Sequence, residues 1–222
     1  MKRIFYCLLI FILIFISCSN KVSEIKNNNV KSSDSIIVGD GCEGCEAVYE
    51  SLVDFGHLNW IDTLPDYAEP GLKLSITGTV YNPDGKTPAP GVVLYIYHTD
   101  QKGYYSKKGN ETGWGKRHGY IRGWIKTNSQ GQYRFYTLKP VAYPGEKIPA
   151  HIHITLKEPG FTVYWIDEYL FDDDVLLTAM ERKKCENRGG SGIIMPEKKG
   201  DLLVAERDII LGLHIPGYPK KG

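Results

Sequence analysis

Apolar and polar residues alternate along several short segments of the chain, a period of two that is typical of strands with one buried and one solvated face. Residues 72–80 alternate almost strictly and lead into an Asn-Pro-Asp-Gly turn. Residues 92–98 are apolar or aromatic at both parities, which indicates a strand covered on both sides. Residues 123–127 and 132–137 flank an Asn-Ser-Gln-Gly sequence and predict a hairpin.

Further strands are predicted over residues 150–156, 161–171 and 202–211, each bounded by turn residues. Twelve prolines and 24 glycines favour short strands and turns over long helices. The pattern predicts an all-β fold: an antiparallel β-sandwich core with long loops and an irregular N-terminal extension. The polar excursion over 99–119 is of the kind that compact domains reserve for function, and 181–200 is typical of a surface loop.

The start of the chain has the layout of an export signal. Lys2 and Arg3 precede an apolar run over residues 4–16, which is too short to span a bilayer comfortably. The junction that follows resembles a bacterial lipoprotein cleavage site with Cys18 as the lipidated residue. Ordinary signal cleavage near residues 17–19 is the alternative.

We therefore expect a signal peptide over 1–17, a disordered tether over 18–38 and one domain over 39–222. The tether contains few large apolar groups and cannot repay the entropy of ordering. The predicted location is outside the cytoplasm, on the periplasmic or outer-membrane side, with the membrane contacted through a lipid anchor only.

The charge of the chain is balanced, with Lys+Arg 27 against Asp+Glu 26 and a formal net charge of +1. No basic stripe interleaved with aromatic residues is visible, so a nucleic-acid partner is not expected. The triple acid at residues 172–174 is interpreted as a solvated turn, with a cation site as the less favoured alternative.

Three cysteines, Cys42, Cys45 and Cys185, lie beyond the predicted signal and anchor. A Cys-x-x-Cys pair in an oxidising compartment favours a structural disulfide over a redox or zinc site. Either Cys42 pairs with Cys45, or one of them pairs with Cys185; one thiol is left over in both cases.

The strand over 150–156 carries two histidines. Side chains at i and i+2 of a strand leave the same face, so His151, His153 and Thr155 point away from the apolar residues between them. Imidazoles are versatile metal ligands, and phenolates are hard donors that suit a trivalent ion. Tyr143, eight residues before His151, and Tyr105, in the 103–105 loop, are the candidate phenolates.

At these residues the chain resembles the intradiol ring-cleavage dioxygenases, of the protocatechuate 3,4-dioxygenase type. The resemblance covers roughly residues 73–174 and includes the Gly-Tyr-Tyr loop, the Lys-Pro-Val-Ala-Tyr-Pro segment at 139–144 and the Pro-Ala-His-Ile-His run at 149–153. It implies a β-sandwich and an Fe(III) centre whose protein ligands are Tyr105, Tyr143, His151 and His153.

The resemblance also implies the chemistry. A catecholic substrate binds the iron and displaces one tyrosinate, matched here by Tyr105, and the ring is opened with O2 to a muconate-type dicarboxylate. No organic cofactor is needed. Family members often assemble through paired β-sandwich domains, so homo-oligomerisation or pairing with a second related chain stays open.

Two positions depart from the family pattern. Ile148 stands where the well-studied enzymes carry an arginine that faces the substrate, and Glu168 stands where they carry a glutamine. Both changes make the pocket less suited to an anionic catechol. Arg122 is a candidate replacement for the missing positive charge. Trp124 is a candidate wall of the pocket, and His118 is a further lining candidate.

Two other functions compete with the dioxygenase. The first is a non-catalytic β-sandwich binding module that retains the metal-ligand residues. The second is a zinc site formed by the histidines and a carboxylate, which leaves the two tyrosines unexplained.

Overall fold

Two facing β-sheets are formed by the twelve strands found among residues 35–220, the part of the chain that this computed structural model describes. The strands are β1 Ile61–Thr63, β2 Lys73–Tyr81, β3 Val93–His98, β4 Arg122–Lys126, β5 Gln132–Leu138, β6 His151–Lys157, β7 Tyr164–Trp165, β8 Tyr169–Phe171, β9 Ile193–Ile194, β10 Glu197–Lys199, β11 Leu202–Glu206 and β12 Ile209–Ile210. Short α-helices are α1 Gly115–His118 and α2 Ala179–Arg182, and 3₁₀ helices cover Cys45–Glu50 and Phe55–His57.

The first sheet has the order β1-β5-β2-β11-β10, with β12 also paired to β2. The second has the order β4-β3-β6-β8-β9, with β7 also paired to β6. The predicted β-sandwich is therefore confirmed. It is not purely antiparallel, because β1 pairs with β5, β11 and β12 with β2, and β9 with β8 in parallel. The hairpin predicted from residues 123–127 and 132–137 is wrong, because β4 pairs with β3 in the second sheet and β5 pairs with β2 in the first.

The main core lies between the sheets and takes residues of one parity from most of the strands. On β6 these are Ile152, Ile154 and Leu156, which are almost completely buried, and β3 contributes Leu94 and Ile96. The opposite parity of β3 is also buried, as the sequence pattern predicts, since the N-terminal 3₁₀ helix packs on the outer face of that sheet.

Two predicted strands are interrupted. The segment 161–171 forms β7 and β8, separated where the carboxylate of Asp167 turns to accept the backbone amides of Asn187 and Arg188. The segment 202–211 forms β11 and β12. A Cβ at Gly78 would lie only 1.8 Å from the carbonyl oxygen of Arg207, so the chain breaks where the two backbones approach most closely.

The predicted surface loop over 181–200 is partly wrong. It contains the end of α2 and the strands β9 and β10, and Arg188 within it is 1% exposed. The triple acid is structural: Asp172 pairs with Arg182, Asp173 pairs with Lys139 and Asp174 accepts the backbone amide of Ala150.

The described residues just before 39 are part of the folded domain. Ile36 forms a parallel bridge with Phe161, and Val38 is 4% exposed, so the last residues assigned to the tether pack on the domain. Cys18, the signal peptide over 1–17 and the rest of the tether lie outside the described residues. Within residues 35–220 no helix combines the length and apolar character needed to cross a membrane.

The disulfide joins Cys42 to Cys45, and Cys185 is a free thiol. This decides between the alternatives that the sequence leaves open.

Candidate metal centre

Strand β6 carries both histidines on its outer face. Its apolar residues are anchored in the main core, so His151 and His153 must project from the opposite side of the sheet. β6 is hydrogen-bonded on one side to β3 and on the other to β7 and β8, which fixes the spacing of the two rings. The orientation predicted from the alternation is thus the observed one.

The two tyrosines come from loops that meet beside β6. Gly103 has φ 79°, and a Cβ there would lie 2.3 Å from the carbonyl oxygen of Ala142. Only glycine tolerates both conditions. The close approach holds the loop of Tyr105 against the segment of Tyr143, which lies next to β6 in sequence.

Four donor atoms converge at this point. The Tyr105 hydroxyl lies 2.5 Å from the Tyr143 hydroxyl and 2.7 Å from Nε2 of His153. The Tyr143 hydroxyl lies 3.1 Å from Nε2 of His151, and the two Nε2 atoms are 3.2 Å apart. The structure therefore brings together all four residues that the sequence nominates.

The other nitrogen of each ring has a fixed acceptor. Nδ1 of His151 lies 2.8 Å from the carbonyl oxygen of Pro149, and Nδ1 of His153 lies 2.6 Å from Oε1 of Glu168. Both Nδ1 atoms must carry the proton, because neither partner can donate one to them. Burial lowers the pKa of His151 and favours its neutral form. Nε2 of His151 then presents a lone pair to the cluster, and Nε2 of His153 does the same in the neutral ring.

Proton counting shows what this cluster is suited to hold. Four close contacts join the four atoms, but two neutral phenols supply only two protons. At least two contacts, including the one between the histidine nitrogens, are then lone pair against lone pair. A cation among the four atoms would convert these repulsive contacts into ligation, so the donor set fits a metal ion and the two phenolates fit a trivalent one.

Both phenols are half-buried, and this partial loss of solvent raises the pKa of Tyr105 and of Tyr143. Contact with Tyr143 raises the pKa of Tyr105 further. The phenolate forms therefore need a cation to stabilise them in this environment.

Glu168 supports His153. Burial acts to raise the pKa of this carboxyl, but the hydrogen bond and charge interaction with His153 lower it to about 2, so it is ionised. The two histidines and Glu168 each present a ligand atom within 4.8 Å of the others. Glu168 contacts Nδ1, however, and not Nε2, so it orients the ring and increases the basicity of Nε2.

A cleft of about 450 Å³ opens beside the histidines. Ile148, Trp165 and Glu168 line it together with His151 and His153, so two of the four predicted pocket residues are present. A second cleft, of about 410 Å³, contains Tyr105, Arg117 and His118. Tyr97 lines both clefts, and its ring stacks between those of His118 and His153 at 3.8 and 4.4 Å.

The predicted pocket roles of Arg122 and Trp124 are wrong. Arg122 pairs with Glu50 at 2.6 Å, and the indole nitrogen of Trp124 donates to the carbonyl oxygen of Val48 at 2.9 Å. Neither residue lines either of these two clefts. The N-terminal 3₁₀ helix, which supplies Val48 and Glu50, covers this part of the sheet. Arg122 therefore does not replace the charge absent at Ile148.

Sequence reasoning missed Tyr97. It lies on β3 directly across from His153, and its parity differs from that of the core residues Leu94 and Ile96. The sequence does show that Tyr97 faces away from the main core. This places it beside His153 only once β3 and β6 are known to be neighbours.

Comparison with known proteins agrees with this geometry. A family model described as Dioxygenase matches residues 59–185. Catechol 1,2-dioxygenase 1 of Acinetobacter lwoffii is 43% identical over 83 residues, which are 37% of this chain and 25% of that protein. Catechol 1,2-dioxygenase 2 of the same organism is 28% identical over 159 residues, 61% of this chain and 54% of that protein. The chain thus spans about half the length, or less, of these relatives.

Solved structures show the same fold. The dioxygenase domain of a dioxygenase carbohydrate-binding protein fusion from Streptomyces sp. SirexAA-E aligns with a TM-score of 0.52 and 23% identity, covering 67% of this chain and 85% of that one. Catechol 1,2-dioxygenase from Acinetobacter sp. ADP1 aligns with a TM-score of 0.50 and 22% identity, covering 68% and 56%. The chain belongs to the intradiol ring-cleavage dioxygenase family.

Proposed function

We propose that this protein is a non-haem Fe(III) intradiol dioxygenase that opens a catecholic ring with O2 to a muconate-type dicarboxylate. The observation that carries the proposal is the convergence of two phenols and two Nε2 lone pairs on one point, with fewer protons than contacts. The catechol 1,2-dioxygenase activity named for the two relatives supports the reaction type.

The proposed ligands are Tyr105, Tyr143, His151 and His153. Ferric ion bound there would act as a Lewis acid that activates the catechol and templates its meeting with O2. The carbon–carbon bond between the two hydroxylated carbons breaks and both oxygen atoms of O2 enter the product, so no external reductant is consumed.

Tyr105 has the proton-handling role in this proposal. Its hydroxyl lies between Tyr143 and His153, and burial makes its phenolate more basic than an exposed one. A catechol has to lose protons to bind a ferric ion, and Oη of Tyr105, which lies beside Tyr143 and His153, would be the group that accepts one of them. Tyr143 and the two histidines then keep the site assembled.

The cleft positions the ring. Ile148 and Trp165 supply apolar surface beside His151 and His153, which favours a flat aromatic molecule over a sugar or an aliphatic acid. Glu168 fixes the orientation of His153 through Nδ1.

The test uses the purified, iron-loaded protein. We expect a visible tyrosinate-to-Fe(III) absorption band, a shift of that band when a catechol is added under argon, and oxygen uptake with a muconate-type product in air. Tyr143→Phe should bleach or shift the band, whereas Tyr104→Phe, which alters an exposed neighbour of Tyr105, should not.

Two results would contradict the proposal. Full iron occupancy without a visible band would exclude tyrosinate ligation. A normal band with no consumption of any catechol in a broad panel would favour the non-catalytic binding module.

A further inference from the structure

The cleft beside the metal centre has an unbalanced charge. Its lining includes five carboxylates, those of Glu43, Asp167, Glu168, Glu181 and Glu186, and one ammonium, that of Lys184. We propose that the substrate is a catechol whose side chain carries a protonated amine. This inference rests on the proposed function and specifies the substrate class of the same site.

The few cations near the cleft are already engaged. Lys184 pairs with Glu181 at 2.7 Å, and Arg117, from the neighbouring cleft, pairs with Glu43 at 2.5 Å. Arg188 is 1% exposed, stacks over Trp165 at 3.5 Å and does not line the cleft. Among the described residues no free cation remains in the lining to receive an anionic substituent.

Glu186 is the carboxylate left for a ligand. Glu168 is committed to His153, and the two oxygens of Asp167 accept the backbone amides of Asn187 and Arg188. The carboxylate of Glu186 has no ion pair within 4 Å in the described part of the chain, and its residue is exposed at the cleft. Glu186 also interacts electrostatically with Arg188, which is buried and does not line the cleft.

A second observation indicates that the substituent of the substrate carries a hydrogen-bond donor. Thr155 lines the same cleft and is 7% exposed, and its Oγ1 has no hydrogen-bond partner. A buried hydroxyl without a partner is costly, so a group able to donate to it would be favoured. An ammonium donates three hydrogen bonds and accepts none, which matches an unpaired hydroxyl oxygen and a free carboxylate.

Strand β6 determines the direction in which the substituent of the catechol would point. His151, His153 and Thr155 share the outer face of β6, and Thr155 is two residues beyond His153, a step of about 7 Å. A catechol ring held at the histidines would therefore point its substituent along the strand toward Thr155. A spacer of roughly two carbons between ring and ammonium matches that step. Trp165, paired with Thr155 across β6 and β7, flanks the same position.

The experiment compares three catechols of similar size on the iron-loaded full chain under argon: 4-(2-aminoethyl)catechol, 4-(2-hydroxyethyl)catechol and 3,4-dihydroxyphenylacetate. Dissociation constants are measured from the shift of the visible band and, independently, by calorimetry. At low salt we expect the cation to bind about 10-fold more tightly than the neutral compound, and the anion to bind more weakly than both. Added salt should reduce the preference.

Variants locate the effect. Glu186→Gln should reduce the ratio of cation to neutral affinity about threefold or more, and Thr155→Val should reduce the affinity for the aminoethyl compound relative to 4-ethylcatechol. Glu206→Gln removes an exposed carboxylate on β11, in the other sheet, and should leave both ratios unchanged.

The outcomes separate the two proposals. If the neutral catechol shifts the band and is cleaved in air, but the three compounds bind within threefold of one another or the anion binds best, the amine inference is wrong and the dioxygenase proposal stands. If no catechol perturbs the band, the dioxygenase proposal fails and the amine inference fails with it.

Discussion

The Nε2 atoms of His151 and His153 are 3.2 Å apart, and both point lone pairs into the same space. They are held there by Pro149 and Glu168, which fix the proton on the opposite nitrogen of each ring. Such an arrangement is stable only if a cation or an additional proton offsets the repulsion. At the scale of single residues, the metal centre is therefore defined as much by the partners of Nδ1 as by the ligand atoms themselves.

Substitutions of Glu168 test whether the acceptor of Nδ1 supports metal binding by His153. Glu168→Leu should reduce the affinity for Fe(III) by about 10- to 100-fold, because Nδ1 of His153 loses its acceptor. Glu168→Gln, which keeps an acceptor oxygen but not the charge, should have a smaller effect. Affinity is measured by competition with a chelator. Equal affinities for Glu168→Leu and the Glu206→Gln control would show that Glu168 does not orient the ring.

His118 predicts a pH dependence of stability. Burial lowers its pKa to about 4, below its ordinary value of 6.5. Between these values the unfolded chain binds a proton that the folded chain does not, so the free energy of unfolding should fall as the pH drops from 6.5 to 4. The loss from this residue is at most about 3 kcal/mol.

The measurement for His118 is denaturant unfolding of the metal-free protein across that pH range. His118→Gln should make the dependence shallower, while His57→Gln, at an exposed position, should not. An identical slope in wild type and His118→Gln would contradict the prediction.

At the scale of elements, the irregular N-terminal segment completes the site. The 3₁₀ helix Cys45–Glu50 buries Ala47 and Val48 against Val93 and Tyr95 of β3. The turn just before it, at residues 41–43, lines the cleft next to the histidines. The Cys42–Cys45 disulfide closes this turn, so it constrains a wall of the candidate active site and not a remote part of the surface.

Replacing both disulfide cysteines with serine should destabilise the protein. Constraint of a loop this short contributes about 2 kcal/mol in the chain-entropy description. That corresponds to a decrease in melting temperature of roughly 4 to 8 °C for a chain of this size. The measurement is thermal unfolding with and without reductant.

Cys185→Ser is the matched control, because Cys185 is a free thiol and should contribute nothing to the reductant effect. If reductant lowers the melting temperature of the wild type and of the double serine variant equally, the disulfide is not the origin of the stabilisation.

At the scale of the whole molecule, the hydrophobic core and the candidate site lie on opposite faces of the second sheet. The core between the sheets is apolar, and the site is built on the outer face of the second sheet, where β6, the 103–105 loop and the N-terminal segment meet. Substitutions on the outer face can therefore change substrate preference with less disturbance of the fold than substitutions in the core.

The predicted export signal leads to a prediction about the whole chain. We propose that Cys18 is lipidated and that the protein acts outside the cytoplasm, on the basis of the basic, apolar and Ser-Cys sequence at its start. In a bacterial host the wild type should fractionate with membranes and incorporate labelled palmitate, and Cys18→Ala should do neither. A mature, unlabelled protein in the soluble periplasmic fraction would indicate ordinary signal cleavage instead.

Much of the fold could be predicted because the alternation of apolar and polar residues is local. The strands over 72–80, 92–98, 123–127 and 132–137 were located to within a few residues, and the outward direction of His151 and His153 followed from parity alone. The errors arose where distant contacts override the local pattern. Asp167 interrupts one predicted strand through the amides of residues 187 and 188, and the approach of Arg207 to Gly78 interrupts another.

The candidate site also contains residues that local sequence identifies and residues whose roles depend on distant contacts. Its four candidate metal-binding residues were named from the two-residue spacing of the histidines and from a family resemblance carried by short motifs. Arg122 was misassigned because its partner, Glu50, is 72 residues away in sequence. Tyr97 was missed because its position depends on the pairing of β3 with β6.

The sequence by itself determined the sandwich class and the face of β6 that bears the histidines, since both depend on residue type and on spacing within a segment. The four donors were named from the same spacing together with the family resemblance. Only the tertiary structure decided that neighbouring donors lie within 3.2 Å of one another, that Glu168 contacts Nδ1 of His153, and that carboxylates outnumber cationic side chains in the cleft. These properties join residues that are far apart along the chain, and their distances are fixed by how the two sheets and their loops pack.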